Sequence, residues 1–328
     1  MRDVLQADLV LAGGGVKGIG HVGAISALNE AGYEFPRVAG TSAGSIVAAL
    51  VAAGLSPARM TGVMRELTWP RFKDPSLLDR VPALGPLISV AREYGLYEGE
   101  YLKTWLGDLL AERGVRTFGD LVNPDATGDE DRYRLVVMAA DITRGELIRL
   151  PWDYQRYGLD PDEQLVVDAV RASMSIPLFY EPARLRAADG SVSTLVDGGL
   201  LSNFPVDVFD REDGRAPRRP TFGVTLFPKL PEGNVRLFPL PGPLRRGLPH
   251  HVECLVTSAI VGRDQGHLAK PWVAARTIEV KTDDVGVVEF DIGPEERDMA
   301  LESGRAAATA FLASWDFEAY RRRFRPSA

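Results

Sequence analysis

The first pattern along the chain is a short apolar run that stops at glycine. Residues 8–11 end an apolar segment of buried-strand type, and Gly13, Gly14 and Gly15 break it sharply. Over residues 19–31, Ile19, Val22, Ile25 and Leu28 fall on one side of a helix, and Gly32 stops it. Residues 35–39 read as a second short strand. A turn of small residues, Gly40-Thr41-Ser42-Ala43-Gly44, comes next, and residues 45–53 read as a second helix ended by Gly54. Strand, glycine loop, helix, strand, serine turn, helix is an alternation that predicts an α/β fold: a mostly parallel sheet covered by helices on both faces.

The rest of the chain is less regular. Residues 57–121 predict mostly helix with loops and carry an apolar patch at 81–91; residues 123–131 form a polar loop. A strong strand is expected at 134–140, a turn at Thr143-Arg144-Gly145 and a strand at 146–150. A helix is expected at 164–173. Leu195 and Val196 form a short apolar end running into Asp197-Gly198-Gly199. Further strands are expected at 221–227 and 276–281, and further helices at 252–262 and 294–315. No internal repeat or domain boundary stands out. The chain is therefore read as one domain over 1–328, with its motifs in a core at about 5–210 and residues 211–328 completing the fold. Residues 227–249 are rich in Pro, Leu and Gly. They read either as a lid or lipid-facing loop, or more plainly as a surface connection.

Composition narrows the function classes. With 45% apolar and 25% charged residues the chain has the profile of an ordinary soluble globular protein. A net charge of -7, with no basic stripe interleaved with aromatics, argues against nucleic acid as partner. The single cysteine, Cys254, cannot form an internal disulfide, which is compatible with the cytoplasm. The amino-terminal stretch lacks the long apolar core and cleavage site of a secretory signal, although secretion without one stays open. The most apolar run, residues 46–55, is about half the length needed to cross a bilayer. Any membrane contact is thus expected to be peripheral, with 81–91, 227–249 and the basic tail 321–325 as candidate surfaces. A solvated helix end is an equal reading of that tail.

Three pieces carry candidate chemistry. Gly40-Thr41-Ser42-Ala43-Gly44 is a Gly-x-Ser-x-Gly turn between strand and helix, where Gly40 and Gly44 allow a sharp bend that exposes Ser42 as a nucleophile. Gly13-Gly14-Gly15-Val16-Lys17-Gly18 has two readings. As a dinucleotide fingerprint it wants an acidic residue at the end of the next strand, where Ala39-Gly40-Thr41 stands instead. A nucleotide- or phosphate-binding regulatory protein with an inert Ser42 therefore remains as the alternative. As an oxyanion loop, its amides converge on a developing negative oxygen and Lys17 adds positive charge. The base that would activate Ser42 is the open question. His250, His251 and His267 have no distinctive context, and His21 reads as a packed helix residue. Asp197, freed of neighbouring side chains by Gly198 and Gly199, is the better candidate. A free carboxylate near pKa 3.9 is a poor base, so its basicity would have to rise by exclusion of water. A plain Asp-Gly turn is the other reading.

Taken together, GGGVKG at 13–18, GTSAG at 40–44 and DGG at 197–199 resemble the patatin-like phospholipases. Residues 171–182 (RASMSIPLFYEP) and the LLSNFPV stretch after DGG are similar to that family as well. The resemblance implies a three-layer α/β/α fold and a serine lipid acyl hydrolase of phospholipase A or lysophospholipase type. It implies a Ser42–Asp197 dyad, an oxyanion hole at Gly13, Gly14 and Gly15, no metal and no cofactor. Lys17, Gly18, Gly40, Gly44, Gly198 and Gly199 support these motifs. The implied partner is a lipid or phospholipid, and some bacterial members also need an activator. Lys17 stands where many members carry arginine, and Ala12 where plant members carry aspartate.

Overall fold

A computed structural model describes residues 4–72, 97–126, 128–211, 213, 215–226, 248–281 and 292–325. The apolar patch 81–91 and all but the last two residues of the Pro-rich stretch 227–249 lie outside them. The chain opens with β1 (Leu5–Gln6) and β2 (Asp8–Leu11), then α1 (Ile19–Glu30), β3 (Tyr33–Glu34), β4 (Val38–Thr41), α2 (Ala43–Ala52) and α3 (Pro57–Glu66). Next come α4 (Glu100–Ala111), β5 (Leu135–Asp141), β6 (Glu146–Leu150), α5 (Val166–Ser173), β7 (Ala183–Arg186) and β8 (Val192–Asp197). The remainder is β9 (Thr221–Thr225), α6 (Leu248–Leu268), α7 (Pro271–Ala274), β10 (Thr277–Glu279), α8 (Pro294–Leu312) and α9 (Phe317–Phe324).

The sheet follows the order β10-β9-β2-β4-β5-β8-β7, with β6 also on β5. From β10 to β5 every pairing is parallel, while β6, β7 and β8 pair antiparallel. The fold is thus α/β with a mostly parallel central sheet. Every residue of β2, β4, β5 and β9 is buried, as expected of parallel strands covered on both faces. Alternate side chains divide the core. Leu9, Leu11, Val38, Leu135, Val137 and Phe222 face the large helical layer. On the other face Val10, Ala39, Val136 and Met138 meet Phe209, and Ala12 meets Phe204, Val206 and Val273. That second cover includes the stretch 204–209, which has no helix of its own.

α1 and α8 pack unusually close. A Cβ on Gly23 would stand 1.9 Å from the Leu301 carbonyl oxygen, and one on Gly304 would stand 1.9 Å from the Gly20 carbonyl oxygen. Only glycine permits backbones to approach that far.

Strand register decides the site. β4 pairs with the first part of β5, ending at Thr41 opposite Met138. β8 pairs with the last part of β5, with Asp197 opposite Ala139. β6 pairs across both parts, from Val137 to Asp141, so it occupies the other edge of β5. β4 and β8 therefore lie end to end along one edge, running toward each other. Ser42 follows Thr41, so the serine and Asp197 meet at that junction although they are far apart in the chain.

Most expected elements are found with shifted ends. α2 starts at Ala43, two residues before the expected helix, so Ser42 alone joins strand to helix. α6 extends well beyond the expected 252–262. β7 was not expected: its Ala-Arg-Leu-Arg sequence is an edge strand whose arginines point outward.

Candidate active site

Ser42 has φ 52° and ψ -131°, a region that a residue with a Cβ rarely enters. Such strain costs on the order of 1–3 kcal/mol and must be held by its surroundings. The glycines at either side are required by contact. A Cβ on Gly40 would stand 2.4 Å from the Gly44 carbonyl oxygen, and one on Gly44 would stand 2.3 Å from that of Leu11. The Ser42 carbonyl accepts from the Ser45 hydroxyl at 2.6 Å. The Ser42 N–H donates to the Ser173 hydroxyl oxygen at 2.9 Å, and that hydroxyl donates to the Met138 carbonyl at 2.6 Å. Ser173 thus ties the elbow to β5 through a fully buried bridge.

Asp197 is 2% exposed. Its carboxylate accepts the Gly199 N–H at 2.7 Å, and its own N–H donates to the Ser175 carbonyl at 2.9 Å. Burial pushes this carboxyl up to about 7, while the neighbouring Ser42 hydroxyl and the bonded Gly199 amide pull against that rise. The Ser42 hydroxyl donates to the Met174 sulfur at 3.7 Å. Gly198 is glycine for space: a Cβ there would stand 2.5 Å from the Met138 carbonyl oxygen.

The glycine loop leads into a tight 3-10 turn, Gly15–Gly18, with Gly15 at φ 57°. Gly13 donates its N–H to the Asn203 carbonyl at 3.2 Å and accepts from the Asn203 side-chain amide at 3.3 Å. A Cβ on Gly13 would stand 3.0 Å from the Ser42 Cβ, so this residue supplies space beside the serine. Among the described residues the Gly14 and Gly15 amides have no recorded acceptor. Lys17 is buried in the same turn and Gly18 packs against Ala43.

His21 is fully buried, and its Nε2 stands 2.8 Å from the Ala12 carbonyl. The carbonyl accepts only, so Nε2 carries the hydrogen. Burial lowers the ring to about 4, which keeps it neutral. Its bond fixes the residue just before the glycines, a structural role. His250 lies 3.8 Å from the Cys254 sulfur, and His267 lies 4.0 Å from Asp207 with its ring against Trp272. Ser173, Asn203, Met174 and the His21 bond were not singled out from sequence. Their only advance signal was that three of them lie in RASMSIPLFYEP and LLSNFPV.

Among the described residues no three or more His, Cys, Asp or Glu side chains gather in a group that could hold a metal ion. Two cavities, of about 340 and 370 Å³, share Arg37, Asp129, Glu130 and Phe209, and another of about 390 Å³ is lined by Lys103, Tyr154, Asp168 and Arg171. The first two lie by the amino-terminal ends of β2 and β4, where Asp8, Arg37, Arg219 and Asp131 pair with one another. Ser42 stands at the opposite, carboxyl edge, where ligands of parallel sheets bind. Position and chemistry outweigh size in locating the site.

A strained serine on a strand-to-helix turn, at the carboxyl edge of a mostly parallel sheet, defines the class as an α/β protein with a serine turn at its sheet edge. A sequence model of the patatin-like phospholipase family matches residues 9–210, and the chain belongs to that family. It is 36% identical to YqhO of Bacillus subtilis (strain 168), over 95% of this chain and 100% of that protein. It is 31% identical to the NTE family protein Rv2565 of Mycobacterium tuberculosis (strain H37Rv), over 93% of this chain but 46% of the relative. The chain thus spans about half the length of that relative. Among solved structures, VipD of Legionella pneumophila shares the fold, with a TM-score of 0.54 at 19% identity, covering 94% of this chain and 67% of that one. Family membership places the chain among lipid hydrolases at the family level.

Proposed function

We propose that the chain is a serine lipid acyl hydrolase of phospholipase A or lysophospholipase type, working through Ser42 and Asp197. The observation that carries this reading is the junction of β4 and β8 along β5, which brings the buried Ser42 and Asp197 together, with the carboxyl raised by burial to about 7. That value suits a general base near neutral pH. Ser42 Oγ attacks the ester carbonyl as Asp197 takes its proton. The tetrahedral oxygen collects negative charge, which the Gly14 and Gly15 amides stabilise. Gly13 gives the room, because its own amide is held by Asn203. The C–O bond to the alcohol breaks, Asp197 returns the proton to that oxygen, and an acyl-Ser42 ester remains. Water, deprotonated by Asp197, releases the fatty acid and restores Ser42. No metal or cofactor enters these steps.

Substrate would be met at a lipid surface, peripherally. Among the described residues no helix is long and apolar enough to cross a membrane. The basic tail is partly paired within the protein: Arg321 meets Glu318 at 3.0 Å, and Arg325 bonds Asp210.

The test is labelling by a fluorophosphonate with mass mapping, alongside fatty-acid release from phospholipid and lysophospholipid. Wild type should be labelled at Ser42 and release fatty acid; Ser42→Ala and Asp197→Asn should do neither. Turnover that survives Ser42→Ala, or a label on another residue, overturns the proposal.

A further inference from the structure

Three consecutive residues at the end of α5 touch both members of the dyad. The Ser42 N–H donates to the Ser173 hydroxyl, and the Ser42 hydroxyl donates to the Met174 sulfur. The Asp197 N–H donates to the Ser175 carbonyl at 2.9 Å. The separation of the two backbones therefore follows the position of residues 173–175. Arg171, two residues before this stretch, is 7% exposed. Its Nη1 donates to the Ser175 hydroxyl at 2.6 Å, and that hydroxyl donates to the Arg171 carbonyl at 3.1 Å. Its Nε donates to the Glu98 carbonyl at 3.0 Å, and its Nη2 donates to the carbonyls of Glu98 and Glu181. Glu98 lies just before α4 and Glu181 just before β7, so one guanidinium joins the end of α5 to two neighbouring segments. Gly99 leaves room for it: a Cβ there would stand 2.2 Å from Arg171 Nε. A planar fork can serve several fixed acceptors at once, which a lysine ammonium cannot do.

We propose that Arg171 is the positioning residue of the dyad: acting through Ser175, its guanidinium holds the 173–175 stretch so that Ser42 and Asp197 stay within reach of each other. The inference rests on the hydrolase reading above and adds to it what sets the geometry. Proton transfer from serine to carboxylate needs hydrogen-bond distance, and a misplacement of about 1 Å costs about a hundredfold in rate. The clamp has a second effect. Ser173 and Ser175 are fully buried, and they belong to the cover that keeps water from Asp197. Arg171 lines the 390 Å³ cavity together with Leu195, and it also bonds Ser175. Removing its head opens a path for water from that cavity toward the dyad. Water at the carboxyl brings its proton affinity back toward the ordinary aspartate range.

The experiment measures kcat and KM for a p-nitrophenyl ester across pH in wild type, Arg171→Met and Ser175→Ala. The groups that face Asp197 are neutral: Ser42 from the β4–α2 turn, the Gly199 amide from its own turn and the Ser175 carbonyl from the end of α5. Among the described residues no charged side chain acts on it, so a moved midpoint reports water. Arg171→Met keeps an apolar stem and loses the fork; kcat should fall about a hundredfold with KM little changed. Ser175→Ala keeps the carbonyl that Asp197 uses and loses the hydroxyl that meets Nη1; kcat should fall about tenfold. In both variants the midpoint of kcat/KM against pH, about 7 in wild type, should move about one unit lower. A loss of folded protein lowers kcat and leaves the midpoint in place. An unmoved midpoint in a variant that thermal unfolding shows to be folded therefore overturns the proposal, and Ser175→Ala decides if Arg171→Met does not fold. Fluorophosphonate labelling of wild-type Ser42 separates the failures: with labelling, an unmoved midpoint sinks only the clamp; without labelling or turnover, both readings fall.

Discussion

Replacing Asp197 with asparagine removes a proton acceptor and a buried charge from one point, and the two effects have opposite signs. In the unfolded chain the carboxyl ionises near 3.9. In the folded protein burial raises it to about 7. The folded state therefore holds this proton more tightly than the unfolded state does. The stability that proton brings is fully present below pH 4 and is lost as pH rises through about 7. The slope is about 1.4 kcal/mol per pH unit, so the loss totals about 4 kcal/mol and then levels off. Asparagine keeps an oxygen for the Gly199 amide and carries no charge. Asp197→Asn should therefore match wild type near pH 4, apart from a constant offset, and exceed it by about 4 kcal/mol at pH 8.5. Urea unfolding of both proteins between pH 4 and 8.5, extrapolated to water, reads this difference. Over the same range wild-type kcat/KM for an ester should rise to a plateau above about 7, since the unprotonated form is the base. The variant should show almost no turnover at any pH. A stability gap that does not change with pH, or near-wild-type hydrolysis by the variant, would refute the reasoning.

Two further outcomes test the scaffold. Ser173→Ala leaves the Ser42 amide and the Met138 carbonyl without their shared hydroxyl; it should cost about 1–3 kcal/mol in denaturant unfolding. The loosened elbow should slow fluorophosphonate labelling of Ser42 by roughly ten- to a hundredfold, and labelling at the wild-type rate would show that Ser173 does not hold it. Gly304→Ala drives a methyl to 1.9 Å from the Gly20 carbonyl oxygen, away from the site. Forcing α1 and α8 apart should cost about 1–3 kcal/mol or more in urea unfolding, while activity per folded molecule stays near wild type; unchanged stability would show that the helices have slack.

Local pattern alone determined a good deal of this protein. Buried β2 and β4, the helices behind them and the glycines of both turns were legible because each rests on near neighbours. An apolar run, a helical period or a residue that must lack a Cβ reports itself within a few positions. Gly40 and Gly44 belong to this group, since their crowding comes from the same strand-turn-helix unit and the strand beside it. Asp197 on its own residues was evenly matched with an ordinary turn, and only the three motifs together pointed to it as the partner of Ser42. What no local pattern shows is its nearness to Ser42, which comes from the register of β5, whose one edge takes β4 and then β8 so that the two strands end at Met138 and Ala139. Strand register joins segments far apart in the chain and leaves no local mark. The same holds for the Ser173 bridge and for Asn203 occupying the Gly13 amide. The basicity of Asp197 was legible only as a requirement. Its source is the exclusion of water by side chains from distant parts of the chain, which only the assembled tertiary structure supplies.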